Sequence, residues 1–243
     1  MSINFITFNE LKDIDIMYDF HIHTNQTDGQ ESIETMIKTA IDKGLNKIAF
    51  TEHVRKNSDW FGKFAESVKE TASKYSGIEV LVGAETKVLD KYGNLDISDT
   101  ILEKSDIILG SVHSIPDEKG GFIDFSTLTP WELAEIEFEL SKGMLKYAPI
   151  DVLAHPGGMY SSRYGGFPIE YFKELMILAK ANDKAIEFNS KYIKNAYDFL
   201  SACGDIDPAL SVGSDAHKAE EVGNCKHMLN QFEYKTFQRR ASK

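Results

Sequence analysis

The sequence predicts one α/β domain, residues 1–243, built as a seven-stranded (β/α)7 barrel of the TIM-barrel kind. Three observations predict it. Short β-type runs alternate with longer amphipathic stretches, and the order βαβα implies a parallel sheet with helices outside. The 243 residues suit one barrel, since α/β barrels run to about 200–250 residues as a single unit. Residues able to carry chemistry recur at the ends of the β-type runs, where parallel barrels gather their functional groups.

Residues 1–16 form an N-terminal extension, and the first run, 17–22, ends in DFHIHT with His21 and His23. A helix over 32–43 follows, with Ser32 as its cap and Gly44 as its stop. The second run, 47–51, leads to His53 in AFTEH, and a helix spans 59–75. The third, 79–84, ends at Glu85 in VLVGAE; a short helix over 99–104 fills the weak link to the fourth run, 107–112, which ends at His113 in GSVHS. A helix over 130–147 opens on Pro130, which suits a first turn. The fifth run, 151–154, meets His155 and the Gly-rich loop HPGGMYSSRYGG, then a helix over 169–181. The sixth, 185–188, closes on the polar Glu187, Asn189 and Ser190, followed by a helix over 191–202. The seventh, 210–213, leads into GSDAH with Asp215 and His217, then a helix over 219–229 and a tail over 230–243. No linker, repeat or low-complexity tract marks a domain boundary.

Lysine and arginine total 27 against 38 acids, a net charge of −11. That balance argues against nucleic acid as the main partner, because affinity for it rests on phosphate neutralisation by Lys and Arg. Cys203 and Cys225 form no CxxC pattern, so neither a disulfide framework nor a thiolate zinc site is indicated. The acidic N-terminus lacks the basic and apolar regions of a secretory signal, and no apolar run approaches a membrane span. A cytoplasmic protein without a membrane partner is the expectation, its oligomeric state left open.

Nine residues are potential metal ligands: His21, His23, Asp28, His53, Glu85, His113, His155, Asp215 and His217. Any one of these motifs alone is a weak signal, but nine uncompensated polar groups at successive strand ends would be costly to bury. Imidazole and carboxylate together suit Zn, Fe and Mn, and so many donors exceed the four that one tetrahedral ion takes. Two or three divalent ions are expected. Asp28 lies in TDG, where turn chemistry alone also favours Asp. His227 stands outside the pattern, and Glu52 is either an orienting or a loop-capping carboxylate.

From Asp19 to about His217 the chain resembles the PHP (polymerase and histidinol phosphatase) superfamily. An HxH after the first strand, TEH after the second, a strand-terminal Glu, two isolated His and a final DxH appear in that order. The resemblance implies a distorted barrel with a multinuclear metal site. It would give His21, His23, Glu85 and Asp215 to one metal, and Glu85, His113 and His155 to a second, with Glu85 bridging. His53 and His217, with Asp28 as the matching additional ligand, would hold a third.

It further implies a metal-dependent phosphatase acting on a small phosphorylated substrate, such as histidinol phosphate or a sugar or nucleoside monophosphate. A metal-bridging hydroxide would attack phosphorus in line, with Asp215 orienting it. Arg55 and Arg163 follow ligand-bearing motifs and are expected to bind phosphate, Arg163 also stabilising charge during the reaction; Lys191 is a third cation. Trp60, Phe61, Tyr160, Tyr164 and Phe167 could wall a pocket. A phosphodiesterase or exonuclease and a protein-tyrosine phosphatase are alternatives within the superfamily. A protein-interaction domain with a structural metal site would be an alternative outside enzymes.

Overall fold

The computed structural model describes residues 3–11, 13–117 and 121–230. Residues 1, 2 and 12 of the expected extension, and the tail beyond residue 230 with Arg239 and Arg240, lie outside the described residues.

The expected seven parallel strands form in sequence order. They are β2 (Tyr18–Ile22), β3 (Lys47–Val54), β4 (Glu79–Lys87), β5 (Ile107–Ser111), β8 (Val152–Leu153), β9 (Ala185–Phe188) and β10 (Ala209–Val212). Preceding them, β1 (Ile6–Thr7) pairs antiparallel with β10, giving an eight-stranded sheet ordered β1-β10-β9-β8-β5-β4-β3-β2. A small hairpin of β6 (Ile115–Pro116) and β7 (Phe122–Ile123) stands apart. The first and last parallel strands meet through an isolated bridge between Ile22 and Ala216 rather than a regular ladder. There the His23 N–H donates to Ala216 O (2.9 Å) and the Ala216 N–H to His21 O (3.2 Å).

Helices fill the intervals: α1 (Phe8–Leu11), α2 (Ile33–Asp42), α3 (Phe61–Ala72), α4 (Asp99–Lys104), α5 (Pro130–Tyr147), α6 (Gly158–Tyr164), α7 (Ile169–Ala181), α8 (Ala196–Ile206) and α9 (Asn224–Asn230). Local chemistry sets several starts. Ser32 accepts from the Thr35 N–H before α2, and Thr129 with Glu132 forms a reciprocal cap before α5, which opens on Pro130. The helix expected over 191–202 begins instead at Ala196, because Asn195 caps it by accepting from the Asp198 N–H. The stretch expected as one helix over 219–229 divides into a 3-10 turn (Ala219–Glu221) and α9, with Gly223 at φ 74° between them.

Successive strand residues point to opposite faces of the sheet. Ile48, Phe50, Val82, Ala84 and Ile108 join the large core under the helices, while Ala49, Leu81, Ile107 and Leu109 join a smaller core with Phe20, Val152, Ala154 and Ala185. Burial on both faces explains why these strands read as nearly continuous apolar runs. Gly83 allows close packing at this level: an added Cβ would lie 2.7 Å from both Ile107 Cγ2 and Thr51 Cγ2. Following the same alternation from Ala49 and Leu81 leads to His53 and Glu85, which stand opposite each other in the β3–β4 register.

Candidate metal centre

The nine expected ligands converge at the C-terminal ends of the parallel strands. Glu85 is their hub. Its Oε1 lies 2.8 Å from His155 Nε2 and 3.1 Å from His113 Nε2; its Oε2 lies 2.9 Å from His53 Nδ1, 3.4 Å from His21 Nε2 and 3.6 Å from His23 Nε2. Asp215 Oδ1 stands 3.3 Å from His23 Nε2 and 3.7 Å from His21 Nε2. On the outer side, Asp28 Oδ2 is 3.2 Å from both His53 Nε2 and His217 Nε2. Among the described residues, three groups have donor atoms all within 4.8 Å of one another: His21, His23 and Glu85; His53, Glu85 and His113; and His23, Asp28, His53 and His217. His53 thus faces both Glu85 and Asp28.

These donors fit cations. His21 Nε2 faces His23 Nε2 at 3.1 Å, and His113 Nε2 faces His155 Nε2 at 3.4 Å. Imidazole nitrogens directed at each other this way suit a shared positive ion. His23 Nδ1 is buried without a hydrogen-bond partner, a costly state that coordination would relieve.

Charge within the cage is tightly balanced. Burial opposes charging His21, but Glu187 and Glu85 outweigh it and hold its pKa well above the ordinary value. Burial also opposes ionisation of Glu85, yet the charges of His113 and His21 keep it well below the usual carboxylate range. His53 is lifted to about 9 against its own burial by Glu85 and Asp28, whereas burial brings His23 down to about 4. Cations bound to these ligands would replace protons.

Three acids without an assigned ligand role hold the frame. Glu187 on β9 places Oε1 2.7 Å from His21 Nδ1 and accepts the His155 backbone N–H through Oε2 at 2.5 Å. This leaves His21 Nε2 for the cluster, the usual arrangement in which the second ring nitrogen of a ligating His meets a carboxylate. Asp19 on β2 accepts the Ser214 N–H (2.9 Å), the Ser214 hydroxyl (2.6 Å) and the Gly223 N–H (2.8 Å), fixing the segment that carries Asp215. Glu52 is a loop cap: it accepts the Thr24 N–H (2.8 Å) and hydroxyl (2.6 Å) and the Thr27 hydroxyl, pinning the turn that presents Asp28. Asp19 and Glu187 each interrupt an apolar strand run, in YDFHI and AIEF, and that interruption was the signal available in the sequence.

The cations take different positions. Lys191 Nζ lies 2.9 Å from Asp215 Oδ2. Arg55 is exposed, with Nη1 3.4 Å from Asp96 Oδ2. Arg163 lies on α6, a helix within the expected Gly-rich loop; it donates to Met159 O at 2.8 Å, and its guanidinium carbon stands 3.7 Å from the Phe125 ring centroid. Glu137 on α5 accepts the Met159 and Tyr160 N–H groups at 3.0 and 2.9 Å and so holds the start of α6. Tyr160 packs near Tyr164 and Phe167, with ring centroids 5.4 and 5.9 Å away, while Trp60 and Phe61 pack with Phe64 at the start of α3.

The family model described as "PHP domain" matches residues 19–194. The chain belongs to the PHP domain family. A relative from Thermoanaerobacter sp. (strain X514), named "probable phosphatase", is 28% identical over 228 residues, covering 88% of this chain and 84% of its own. The Bacillus subtilis (strain 168) DNA polymerase/3'-5' exonuclease PolX is 26% identical over 234 residues, covering 93% of this chain and 37% of its own. Among solved structures, the fold is similar to histidinol phosphate phosphatase from Lactococcus lactis, complexed with zinc, L-histidinol and phosphate. The TM-score is 0.71 at 16% identity, covering 92% of this chain and 93% of that one. Family membership, relatives named as phosphatases and the assembled donor set support a metal-dependent phosphatase. No helix among the described residues is long and apolar enough to cross a membrane.

Proposed function

We propose that this PHP chain hydrolyses small-molecule phosphate monoesters with two or three divalent ions, Zn, Fe or Mn. The observation that carries the reading is Glu85 facing five imidazoles at one strand-end mouth, with Asp215 and Asp28 on either side. When bound, such ions supply Lewis-acid activation of water and charge neutralisation of the phosphoryl group.

The chain's own residues supply positioning and the remaining charge. Glu187 holds His21 in one orientation, and Asp19 fixes the Asp215 segment. Lys191, against Asp215, adds positive charge beside the cluster that attracts an anionic substrate. Arg55 and Arg163 remain the proposed phosphate-binding arginines. Arg55 is exposed and its contact with Asp96 is long at 3.4 Å, and ion pairs of exposed side chains are worth about 0–1 kcal/mol, so exchanging Asp96 for a phosphate costs little. Arg163 would have to leave its contacts with Met159 O and Phe125 to meet a phosphate. Asp215 is held ionised despite burial by its hydrogen bond with His23 and by the His21 and His155 charges, as a group orienting an attacking water requires.

A phosphodiesterase or exonuclease is the second reading, favoured by the similarity to PolX. Against it stands the net charge of −11, unfavourable for a polyanionic strand. A turnover screen at fixed Zn, Fe or Mn, spanning monoesters, phosphotyrosine peptide, diesters and single-stranded DNA, tests the ranking. Faster cleavage of small monoesters is expected; equal or faster cleavage of oligonucleotides would reverse it.

A further inference from the structure

We propose that a cavity sharing Tyr192 with the metal centre is the alcohol subsite, and that it takes a compact apolar or aromatic alcohol rather than a sugar. The inference rests on the phosphate-monoester reading and deepens it. The cavity measures about 310 Å³ and opens between the segment leading into α7 and the segment leading into α8. That volume falls in the range of small-ligand pockets, about 300–1,000 Å³.

Its position links it to the chemistry. The first segment follows β8 and α6 in the chain and the second follows β9, the connections that run from the C-terminal ends of those strands. The Tyr192 ring centroid stands 5.0 Å from that of His155, at an interplanar angle of 48°. At Gly158 the chain passes close to both rings: an added Cβ would lie 3.1 Å from His155 Nδ1 and 3.5 Å from Tyr192 Cδ1. Tyr192 therefore has a candidate ligand of the cluster, His155, beside it while also lining the cavity.

Its lining decides the ligand class. Phe167, Ile169, Phe172, Ile193 and Phe199 join Tyr192 as apolar walls. The charged and amide side chains in the lining are already engaged nearby. Asn195 donates from Nδ2 to Asp198 Oδ2 at 2.5 Å and accepts the Asp198 N–H at 3.2 Å, while Lys194 Nζ donates to Lys191 O at 2.9 Å. A sugar would bury several hydroxyls against this wall with few partners, a costly arrangement. An aromatic or branched aliphatic group would gain from burial there.

The test fills the cavity at two positions that tolerate bulk. Ile169 and Gly166 both line the cavity, Ile169 is only partly buried and a Cβ at Gly166 meets nothing within 4 Å, so Ile169→Trp and Gly166→Phe are chosen to narrow it without a clash at that Cβ. Two readouts are taken on metal-loaded protein of measured metal content. The first is fluorine NMR line broadening of 4-fluorobenzyl alcohol. The second is the ratio of kcat/KM for benzyl phosphate to that for methyl phosphate. Wild type should broaden the fluorine signal, and either filling variant should abolish the broadening and lower the ratio about 10-fold or more. Unchanged broadening and ratio in both variants would overturn the proposal. Failure of the protein to cleave any monoester would count against the phosphatase reading alone, because the fluorine signal would still decide the cavity.

Discussion

Glu187 Oε1 and His21 Nδ1 meet at 2.7 Å where neither side chain is exposed to solvent. β9 contributes none of the nine candidate ligands, yet through this contact it orients one of them. The second Glu187 oxygen holds the His155 backbone N–H, so a single carboxylate spans two ligand-bearing strand ends. Gly213 leaves room for it, since a Cβ there would collide with Glu187 Oε1 and lie 2.6 Å from His21 Cβ.

Glu187→Gln should therefore weaken metal binding. Glutamine has one acceptor oxygen for two donors, and loss of such supporting contacts costs about 10-fold to 100-fold in metal affinity. Chelator competition measures it. An affinity equal to wild type would show that the contact does not orient His21.

Substitution of Glu85 should have a broader effect. The carboxylate lies between the His21–His23 and the His113–His155 pairs, so Glu85→Ala should lower occupancy of two ion positions together. Asp28→Ala should affect only the outer group with His53 and His217. Elemental analysis of both variants reads the difference; equal losses would contradict the bridging role.

Arginine substitutions should separate substrate binding from metal assembly. Arg55→Ala and Arg163→Ala should retain metal and folding while kcat/KM falls by roughly 30-fold to 1000-fold, about 2–4 kcal/mol of transition-state contact. Arg→Lys should recover only part, because the planar fork is gone. Wild-type kinetics in both alanine variants would transfer the phosphate to other cations, Lys191 first.

Glu137 supplies a pH-dependent stability signal at the start of α6, with the His155 charge also acting on it. Burial lifts its pKa from 4.5 to about 7 against the pull of the Tyr160 and Met159 N–H groups. A raised folded-state pKa means stability fully present below about pH 4.5 and lost as pH rises through about 7. At about 1.4 kcal/mol per pKa unit the change amounts to about 3 kcal/mol. Unfolding free energies of wild type should thus fall relative to Glu137→Gln across that interval. A rise would mean that the two N–H donors dominate and the carboxylate folds ionised.

The parallel strands and the gathering of the candidate ligand residues at their ends were legible because both depend on local pattern. Strands buried on both faces read as apolar runs, and His53, Glu85 and His155 stand at or just beyond the ends of theirs. What escaped depends on partners distant in sequence. Helix α6 starts in a Gly-rich stretch because Gly157 takes φ 75° and Glu137, about twenty residues earlier, receives its first N–H groups. The two-residue strand β1 has no periodicity to read and forms by pairing with β10. The arginine positions could not be read either, since Asp96 and Phe125 set them from other loops. Asp19 and Glu187 announce themselves only as acids inside apolar runs, and their partners Ser214 and His21 come from opposite ends of the chain.

The central claim is a multinuclear centre that activates phosphate-ester hydrolysis, and metal content of the untreated protein tests it most directly. Two or three equivalents of Zn, Fe or Mn per chain are predicted, because the described residues bring six imidazoles and three carboxylates within reach of one another and one ion takes far fewer. At most one ion per chain, with no phosphatase activity gained on adding Mn, would contradict the account.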